Sequence, residues 1–252
     1  MTLSDFFAGN RKIALAFSGG TDSSYLLYAA TMNHADICAY YVKTPFQPQF
    51  ELDDAKRLAA QLNAKMKIVD VDVLDDDTIT SNPSNRCYFC KKKIFSAILK
   101  AASDDQNASQ CVIIDGTNAS DQVSDRPGMK ALRELEVRSP LRECGITKME
   151  VRRLSKEAGL FTWDKPSYAC LATRIPTDEQ ITAEKLKITE KSEDYLSSLG
   201  FKDFRIRMRG GAAVVQTHAS QNSGLDMHKK EITDFLEKYY KEIHFEPGSR
   251  DE

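Results

Sequence analysis

The sequence predicts an α/β protein in which a parallel sheet covered by helices is followed by a small α+β domain. Short apolar runs alternate with helical patterns over the first two-thirds of the 252 residues, which is typical of parallel strands joined by crossover helices. The alternation ends near residues 166–176, where a long helix and a hairpin pattern begin. We therefore predict two domains, at residues 1–175 and 176–252.

The elements of the first domain are predicted in strand–helix order. Residues 12–17 form a short apolar strand run, and a helical pattern over residues 22–32 follows a glycine-rich turn. Four apolar residues at helical spacing mark a later helix that starts near Cys90. The remaining predicted elements are strands at residues 37–42, 67–73 and 111–115 and a helix at residues 52–62. Ligands of such sheets bind at the carboxyl ends of the strands.

The second domain is predicted from two helices and a hairpin. A helix over residues 183–199 is stopped by Gly200. Two strand-like runs within residues 204–217 flank Gly210 and Gly211, which is typical of a β-hairpin. The apolar stripe of a final helix is predicted to consist of Ile232, Phe235, Leu236, Tyr239 and Ile243.

The composition excludes several classes of protein. With 41% hydrophobic and 29% charged residues, the chain resembles an ordinary soluble globular protein. No apolar run is long enough to cross a bilayer, and the first 12 residues lack the features of a secretory signal. The net charge of −2 argues against an extended nucleic-acid surface. We expect a cytoplasmic protein that binds neither membrane nor nucleic acid.

Residues 18–24, Ser-Gly-Gly-Thr-Asp-Ser-Ser, lie between the first strand and its helix and predict a phosphate site. Gly19 and Gly20 permit close approach of the backbone to an anion, and a helix N-terminus favours phosphate. Ser18 and Ser23 add hydroxyl donors, while Asp22 can cap the helix or hold Mg²⁺. The glycine spacing matches neither a Walker nor a Rossmann motif. A plain glycine-rich turn is the alternative, which the whole heptapeptide in this position disfavours.

A second polar loop, residues 115–121, ends another strand with the sequence Asp-Gly-Thr-Asn-Ala-Ser-Asp. We assign Gly116, Asn118 and Asp121 to nucleotide binding, because amide and carboxylate groups suit ribose, adenine or Mg²⁺ with pyrophosphate. Arg126 is predicted to pair with the α-phosphate, where negative charge builds during adenylyl transfer. Taken alone, this segment would be an ordinary Asn/Asp-rich turn.

Two of the six cysteines, Cys87 and Cys90, lie three residues apart at a helix start, and Cys170 lies far away in sequence. A zinc site usually needs four ligands, and a redox dithiol would leave Cys170 unexplained. Three cysteines can hold a 4Fe-4S cluster, so this hypothesis stays open beside the others. The remaining cysteines are predicted to pack in apolar runs or are assigned no role: Cys38, Cys111 and Cys144.

The motifs SGGTDSS, GTNASDQVSDRPG, VRSPL, KPSYACLATRIP and FRIRMRGGAAVVQ occur in this order along nearly the whole chain. Together they resemble the LarE family, the sulfur transferases of nickel-pincer nucleotide synthesis. This resemblance implies a PP-loop ATP pyrophosphatase domain of the adenine nucleotide alpha hydrolase type. It also implies adenylation of a carboxylate of pyridinium dicarboxylate mononucleotide by ATP and Mg²⁺, followed by replacement of AMP with sulfur.

The family has two versions, and the cysteines decide which one this chain resembles. In the sacrificial version, one cysteine in the ACLAxR segment gives up its own sulfur. In the other, that cysteine and a CxxC pair hold a 4Fe-4S cluster that carries sulfide. Because the chain has Cys170 together with Cys87 and Cys90, the resemblance implies the cluster version and a sulfide donor. Self-association of copies is also implied.

The resemblance further implies substrate contacts. Lys91 matches the family's substrate-contacting lysine, Arg205 and Arg207 match its phosphate-binding pair, and Arg174 is expected to assist them. The sacrificial members carry a carboxylate metal site in the C-terminal domain. Glu193 matches one of its ligands, but Gln216 stands where another acidic residue is expected, which argues against that metal site here.

Three other functions share part of this pattern. A tRNA thiolase would need a basic surface or an RNA-binding domain, and neither is visible. An amide-forming synthetase of the NAD or GMP kind would share the two loops but would leave the cysteines unexplained. A non-enzymatic nucleotide-binding iron–sulfur carrier would bind ATP without releasing pyrophosphate.

Overall fold

The computed structural model describes residues 1–10, 12–104, 111–121 and 127–249. The chain divides into two compact units, the first made of Met1–Val73 and Asn85–Lys165, the second of Leu74–Ser84 and Pro166–Glu252. The short segment Leu74–Ser84 thus belongs with the C-terminal part of the chain, which the sequence pattern did not indicate. The functions assigned to domains 1–175 and 176–252 stay predictions.

The helices and strands of the described residues follow the predicted alternation. The helices are α1 (Leu3–Gly9), α2 (Thr21–Met32), α3 (Gln49–Gln61), α4 (Asp77–Thr80), α5 (Arg86–Asp104), α6 (Pro127–Glu134), α7 (Pro140–Glu143), α8 (Lys148–Glu157), α9 (Ala183–Ser198) and α10 (Asn222–Leu236). The strands are β1 (Lys12–Ala16), β2 (Asp36–Lys43), β3 (Lys65–Asp70), β4 (Val112–Ile114), β5 (Phe204–Arg209), β6 (Ala212–Thr217) and β7 (Ile243–Pro247). Within these ranges, no helix combines the length and apolar character needed to cross a membrane.

The sheet of the first unit confirms the predicted parallel α/β fold. Its strand order is β3-β2-β1-β4, and all three neighbouring pairs are parallel. The strand β1 is buried on both faces: Ile13 and Leu15 pack into one apolar cluster, and Ala14 packs with α5 into another. This explains why β1 is a continuous apolar run without polar alternation.

The strand order also locates the binding edge of the sheet. From β1 the chain proceeds to β2 on one side, whereas β4 lies on the other side of β1. Loops that leave the carboxyl ends of two such strands diverge and open a crevice between them, which is where open α/β sheets bind ligands. The loops after β1 and β4 are the two segments predicted to bind the nucleotide.

The second unit contains a mixed three-stranded sheet in the order β5-β6-β7. The predicted hairpin is present, with β5 and β6 antiparallel and β5 at the sheet edge. The predicted extension of the final helix through Tyr239 and Ile243 is wrong, because α10 ends at Leu236 and Ile243 begins β7. The strand β7 pairs in parallel with β6, so α10 is the crossover helix that such a pair requires.

Candidate active site

The loop after β1 is shaped by Gly19. Its φ of +71° lies in the left-handed region, and a Cβ there would lie 3.2 Å from the Cβ of Ala55 and from the carbonyl oxygen of Glu51 on α3. A larger residue would therefore meet both backbone strain and steric crowding. The glycine allows the chain to turn tightly against α3 and then enter α2.

The start of α2 offers backbone amides to an anion. Gly20 is the N-cap residue, and no side chain caps this helix end. The hydroxyls of Ser18 and Ser23 lie 3.1 Å apart, and the Ser18 amide donates to Ser23 Oγ at 3.3 Å. Uncapped first-turn amides need an acceptor, and a phosphate oxygen provides one at a helix N-terminus. The geometry of the loop therefore fits the phosphates of ATP.

The loop after β4 packs directly on this helix start. A Cβ built on Gly116 would lie 2.9 Å from the amide nitrogen of Ser23 and 3.2 Å from the Cβ of Asp22. Real Cβ atoms do not approach backbone atoms so closely, so a side chain at Gly116 would separate the two loops. The predicted nucleotide segments are thus in contact, as the strand order requires.

Asp22 is held between the two loops and does not cap α2. Its Oδ1 accepts a hydrogen bond from Asn118 Nδ2 at 3.2 Å, and its Oδ2 lies 2.6 Å from Lys148 Nζ. The side chain remains 23% exposed, so its carboxylate can reach a ligand. Carboxylate oxygen is the ligand type that Mg²⁺ prefers, so Asp22 fits the predicted metal role.

The remaining polar groups of the β4 loop fix its conformation. Asn118 is 3% exposed, and its Oδ1 accepts a hydrogen bond from the Ser120 amide at 2.8 Å. Asp121 Oδ2 accepts from the Asn118 amide at 2.9 Å. In this structure both predicted nucleotide ligands therefore shape the loop, and their contact with ribose or adenine stays a prediction. Arg126 lies outside the described residues.

Lys148 is a site residue that the sequence interpretation missed. It is the first residue of α8, and its backbone amide donates to Ser120 Oγ at 3.0 Å. Thr147 and Glu150 form a capping box at this helix end. The Thr-Lys-Met-Glu sequence could have predicted the helix start. It could not have shown that the ammonium group lies at Asp22, because this depends on how α8 packs on α2.

The CxxC pair lies in the first turn of α5, which begins at Arg86, four residues before the predicted start. Cys87 is exposed and Cys90 is half-buried. Residues three apart lie on one side of a helix, so both thiols face similar directions. The stem of Lys91 lies over Gly128 of α6, since a Cβ there would be 2.8 Å from Lys91 Cδ.

Cys170 lies in the second unit, immediately before a 3₁₀ turn, Leu171–Arg174. Its carbonyl oxygen accepts two hydrogen bonds from Thr173, from the amide at 2.9 Å and from Oγ1 at 2.8 Å. The cysteine is half-buried. The backbone next to this sulfur is therefore fixed by the turn that follows it.

Arg174 is buried, with 1% of its surface exposed, and forms a two-pronged ion pair with Glu193. The distances are 2.7 Å from Nε to Oε1 and 3.1 Å from Nη2 to Oε2. Burial, the largest influence, lowers the pKa of Arg174, but the hydrogen bonds and charge of Glu193 outweigh it and the net pKa is raised. Arg174 Nη1 also donates to the Ala169 carbonyl at 2.9 Å, so this arginine holds the backbone immediately before Cys170. Its assistance to Arg205 and Arg207 stays a prediction.

Glu193 is shared by three donors. Besides Arg174, it accepts from the Tyr168 hydroxyl at 2.6 Å and from the backbone amide of Ile206 on β5 at 3.0 Å. The Arg174 guanidinium carbon lies 4.6 Å from the centre of the Tyr168 ring. A carboxylate with these partners acts as a structural anchor of the second unit.

The predicted phosphate-binding arginines lie on β5, where alternate residues share one face of the sheet. Arg207 Nε donates to Gln216 Oε1 at 2.8 Å, and Arg207 Nη1 donates to the Thr173 carbonyl at 2.9 Å. Arg205 is directly opposite Gln216 in the β5–β6 register. The structure thus joins Arg207 to the turn after Cys170 and places Arg205 on the same face of β5, within the second unit.

The chain has free thiols of the kind that bind iron–sulfur clusters. All six cysteines lie within the described residues and none is in a disulfide. Neither unit by itself holds a group of three or more His, Cys, Asp or Glu side chains arranged around a metal position, as far as its described residues go. Thiolates are the normal ligands of iron–sulfur clusters. Because the described residues show no metal position, the cluster stays a prediction.

The chain is similar to one family model and to several known proteins. A family model described as queuosine biosynthesis protein QueC matches residues 12–88. The uncharacterized protein slr1717 of Synechocystis sp. is 34% identical over 221 residues, which is 87% of this chain and 81% of that protein. The uncharacterized protein MJ0830 of Methanocaldococcus jannaschii is 29% identical over 93% of this chain and 88% of its own length. Pyridinium-3,5-bisthiocarboxylic acid mononucleotide synthase of Lactiplantibacillus plantarum is 31% identical over 82% of this chain and 74% of its own length.

Proposed function

Because the chain belongs to the LarE-type family of pyridinium-3,5-bisthiocarboxylic acid mononucleotide synthases, we propose that it converts a carboxylate of a pyridinium mononucleotide to a thiocarboxylate. It is an ATP-dependent enzyme, and its family supports sulfur transfer on a nucleotide. The observation that carries the proposal is the contact between the two loops at Gly116, which places Asp22 beside an uncapped helix N-terminus.

The first half-reaction is adenylation. A substrate carboxylate oxygen attacks the α-phosphorus of ATP, and the bond from that phosphorus to pyrophosphate breaks, which leaves an acyl-adenylate. The amides at the start of α2 would hold phosphate oxygens, and Asp22 would hold Mg²⁺, which would offset phosphate charge. Lys148 is 2.6 Å from Asp22, so its ammonium group is placed to attract the pyrophosphate as it leaves.

The second half-reaction is sulfur transfer. A sulfur nucleophile attacks the acyl carbon, the bond from that carbon to the AMP oxygen breaks, and AMP leaves. We assign Cys87, Cys90 and Cys170 as the residues that would hold a 4Fe-4S cluster, and this cluster would supply the sulfide nucleophile. The sulfide comes from a separate donor. In the alternative, the Cys170 thiolate attacks the acyl carbon and AMP leaves. Loss of the Cα proton then breaks the Cβ–Sγ bond, which releases the thiocarboxylate and leaves dehydroalanine at residue 170.

Substrate recognition is assigned to basic side chains. Arg205 and Arg207 bind the mononucleotide phosphate, since a planar guanidinium matches a phosphate with two parallel hydrogen bonds. Lys91 is also assigned to substrate contact. The cytoplasm is the proposed location, and self-association of copies is part of the proposal.

The test uses protein purified without oxygen, with pyridinium dicarboxylate mononucleotide, MgATP and sulfide. We expect pyrophosphate, AMP and a thiocarboxylate product, with about four irons per chain. Alanine at Cys87, Cys90 or Cys170 should remove iron and thiocarboxylate but retain pyrophosphate release. Cys144 is the matched control, a half-buried thiol whose pKa is raised by burial, and Cys144→Ala should keep both activities.

Each other outcome has a defined meaning. Iron-free protein that loses the mass of hydrogen sulfide from Cys170 during turnover would replace the cluster with the sacrificial version. Pyrophosphate release with no sulfur in the product would reject sulfur transfer altogether. ATP binding without pyrophosphate release would favour a nucleotide-binding carrier.

A further inference from the structure

We propose that Gln216, oriented by Glu246, is a positioning residue that aims Arg207 at the substrate phosphate while tying it to the turn after Cys170. This inference rests on the proposed function and deepens it, because it identifies what holds the phosphate-binding arginine in place. The argument uses contacts within the second unit alone.

A continuous relay of hydrogen bonds crosses the three strands. Glu246 on β7 accepts from Gln216 Nε2 at 2.8 Å, and Gln216 Oε1 accepts from Arg207 Nε at 2.8 Å. In the strand register Gln216 stands opposite Glu246 on one side and Arg205 on the other. Because β6 is the central strand, the Gln216 side chain reaches residues on both β5 and β7.

The relay fixes which way the carboxamide of Gln216 points. An ionised carboxylate only accepts hydrogen bonds, so Glu246 selects the NH₂ end of the carboxamide and leaves the oxygen for Arg207. Arg209 Nη1 also donates to Glu246, at 2.9 Å, and keeps that carboxylate in place. Without this selection, a flipped carboxamide would present its own N–H groups to the Arg207 guanidinium, which has no acceptor for them.

The same arginine is joined to the cysteine turn. Arg207 Nη1 donates to the Thr173 carbonyl at 2.9 Å, and Thr173 Oγ1 donates to the Cys170 carbonyl at 2.8 Å. A guanidinium held at two of its nitrogens has a fixed plane, which sets the direction in which it meets a phosphate. A change in the orientation of the Arg207 guanidinium would therefore disturb the turn that follows Cys170.

The chemistry of residue 216 follows from charge. Arg207 donates to two neutral oxygens, those of the Gln216 carboxamide and the Thr173 carbonyl. A neutral acceptor orients the guanidinium without adding a negative charge that would oppose a phosphate. Gln216→Glu would place a second carboxylate beside Glu246 and beside the proposed phosphate position. Its negative charge would repel both the Glu246 carboxylate and the phosphate.

The test measures binding of nicotinate mononucleotide, a stable mononucleotide with a phosphate and a pyridinium carboxylate, by titration calorimetry. We expect Gln216→Glu to weaken binding about tenfold, or about 1.4 kcal/mol, and Glu246→Gln to weaken it about threefold. The kcat of pyrophosphate release at saturating substrate should stay within about twofold of wild type, since the relay acts on phosphate binding. Gln221→Glu is the matched control: Gln221 bonds the Lys202 backbone instead.

A second readout follows the relay without any substrate. The Arg207 Nε–H signal in NMR should exchange slowly with water in wild type and faster in Gln216→Ala and Glu246→Gln. Unchanged binding by Gln216→Glu, or an equal loss in Gln221→Glu, would overturn the inference. A rapidly exchanging Nε–H in wild type would refute the relay itself. If the Arg207 Nε–H exchanges slowly but wild type does not bind nicotinate mononucleotide, the relay exists but the proposed substrate class is wrong. The role of Gln216 in phosphate binding would then be refuted as well.

Discussion

Replacing Gly116 with alanine tests the contact on which the nucleotide site depends. The new Cβ would lie 2.9 Å from the Ser23 amide nitrogen, 3.2 Å from the Asp22 Cβ and 3.3 Å from the Ser23 Cα. Ordinary contacts of this kind start at roughly 3.4 Å, so the start of α2 must move by about half an ångström. Overpacking of this size costs about 1–3 kcal/mol of unfolding free energy. Since the moved atoms belong to the proposed phosphate site, pyrophosphate release should fall by about 10–100-fold.

The assay is substrate-dependent pyrophosphate release, measured beside urea unfolding of the same samples. Gly9→Ala is the control, because a Cβ at Gly9 meets nothing within 4 Å, and it should leave turnover unchanged. The two measurements together separate a displaced site from general loss of fold. Wild-type turnover and stability in Gly116→Ala would refute the reasoning, because the loops could then separate without cost.

Three further predictions concern charged groups. Lys148→Met should lower kcat for pyrophosphate release by about 10–100-fold while thermal unfolding stays near wild type, and retained turnover would exclude the lysine from adenylation. Arg174→Met should lower the unfolding free energy by about 3–5 kcal/mol, because it leaves Glu193 as an unpaired buried charge; urea unfolding tests this, and a loss below about 1 kcal/mol would contradict it. The pKa of Glu246 is lowered, first by its hydrogen bond from Gln216 and further by Arg209 and Arg207, although burial opposes this shift. Its stabilisation is therefore complete above the unfolded pKa near 4.5 and disappears as pH falls through the lower folded value, so wild type and Glu246→Gln should converge in stability only in acid.

The strands and both polar loops could be predicted from sequence because their signals are local. The β1 run is apolar throughout since both faces of the sheet are covered, and the Gly19 turn follows it directly. Parallel order then implies that the loops after β1 and β4 share an edge. The contact at Gly116 needs no information beyond these local patterns and the strand order.

Other features depend on contacts that a pattern does not encode. Ile243 continues the helical spacing of Ile232 and Leu236, yet the free edge of β6 pairs with it as a strand. The sequence pattern does not encode the burial of Arg174 against Glu193, 19 residues later, and the assistance of Arg174 to the phosphate-binding pair stays a prediction. Lys148 lies at Asp22 because α8 packs on α2. No residue in the sequence near the phosphate loop predicts this packing.

The carboxylate of Glu193 also covers part of one edge of the sheet in the second unit. Its oxygen occupies the outward-facing amide of Ile206 on β5, an edge strand. Exposed edge amides are templates for pairing with foreign strands and hence for aggregation. A buried acid that caps such an amide prevents continuous strand addition on that side. A strand added along β5 would have to displace this hydrogen bond.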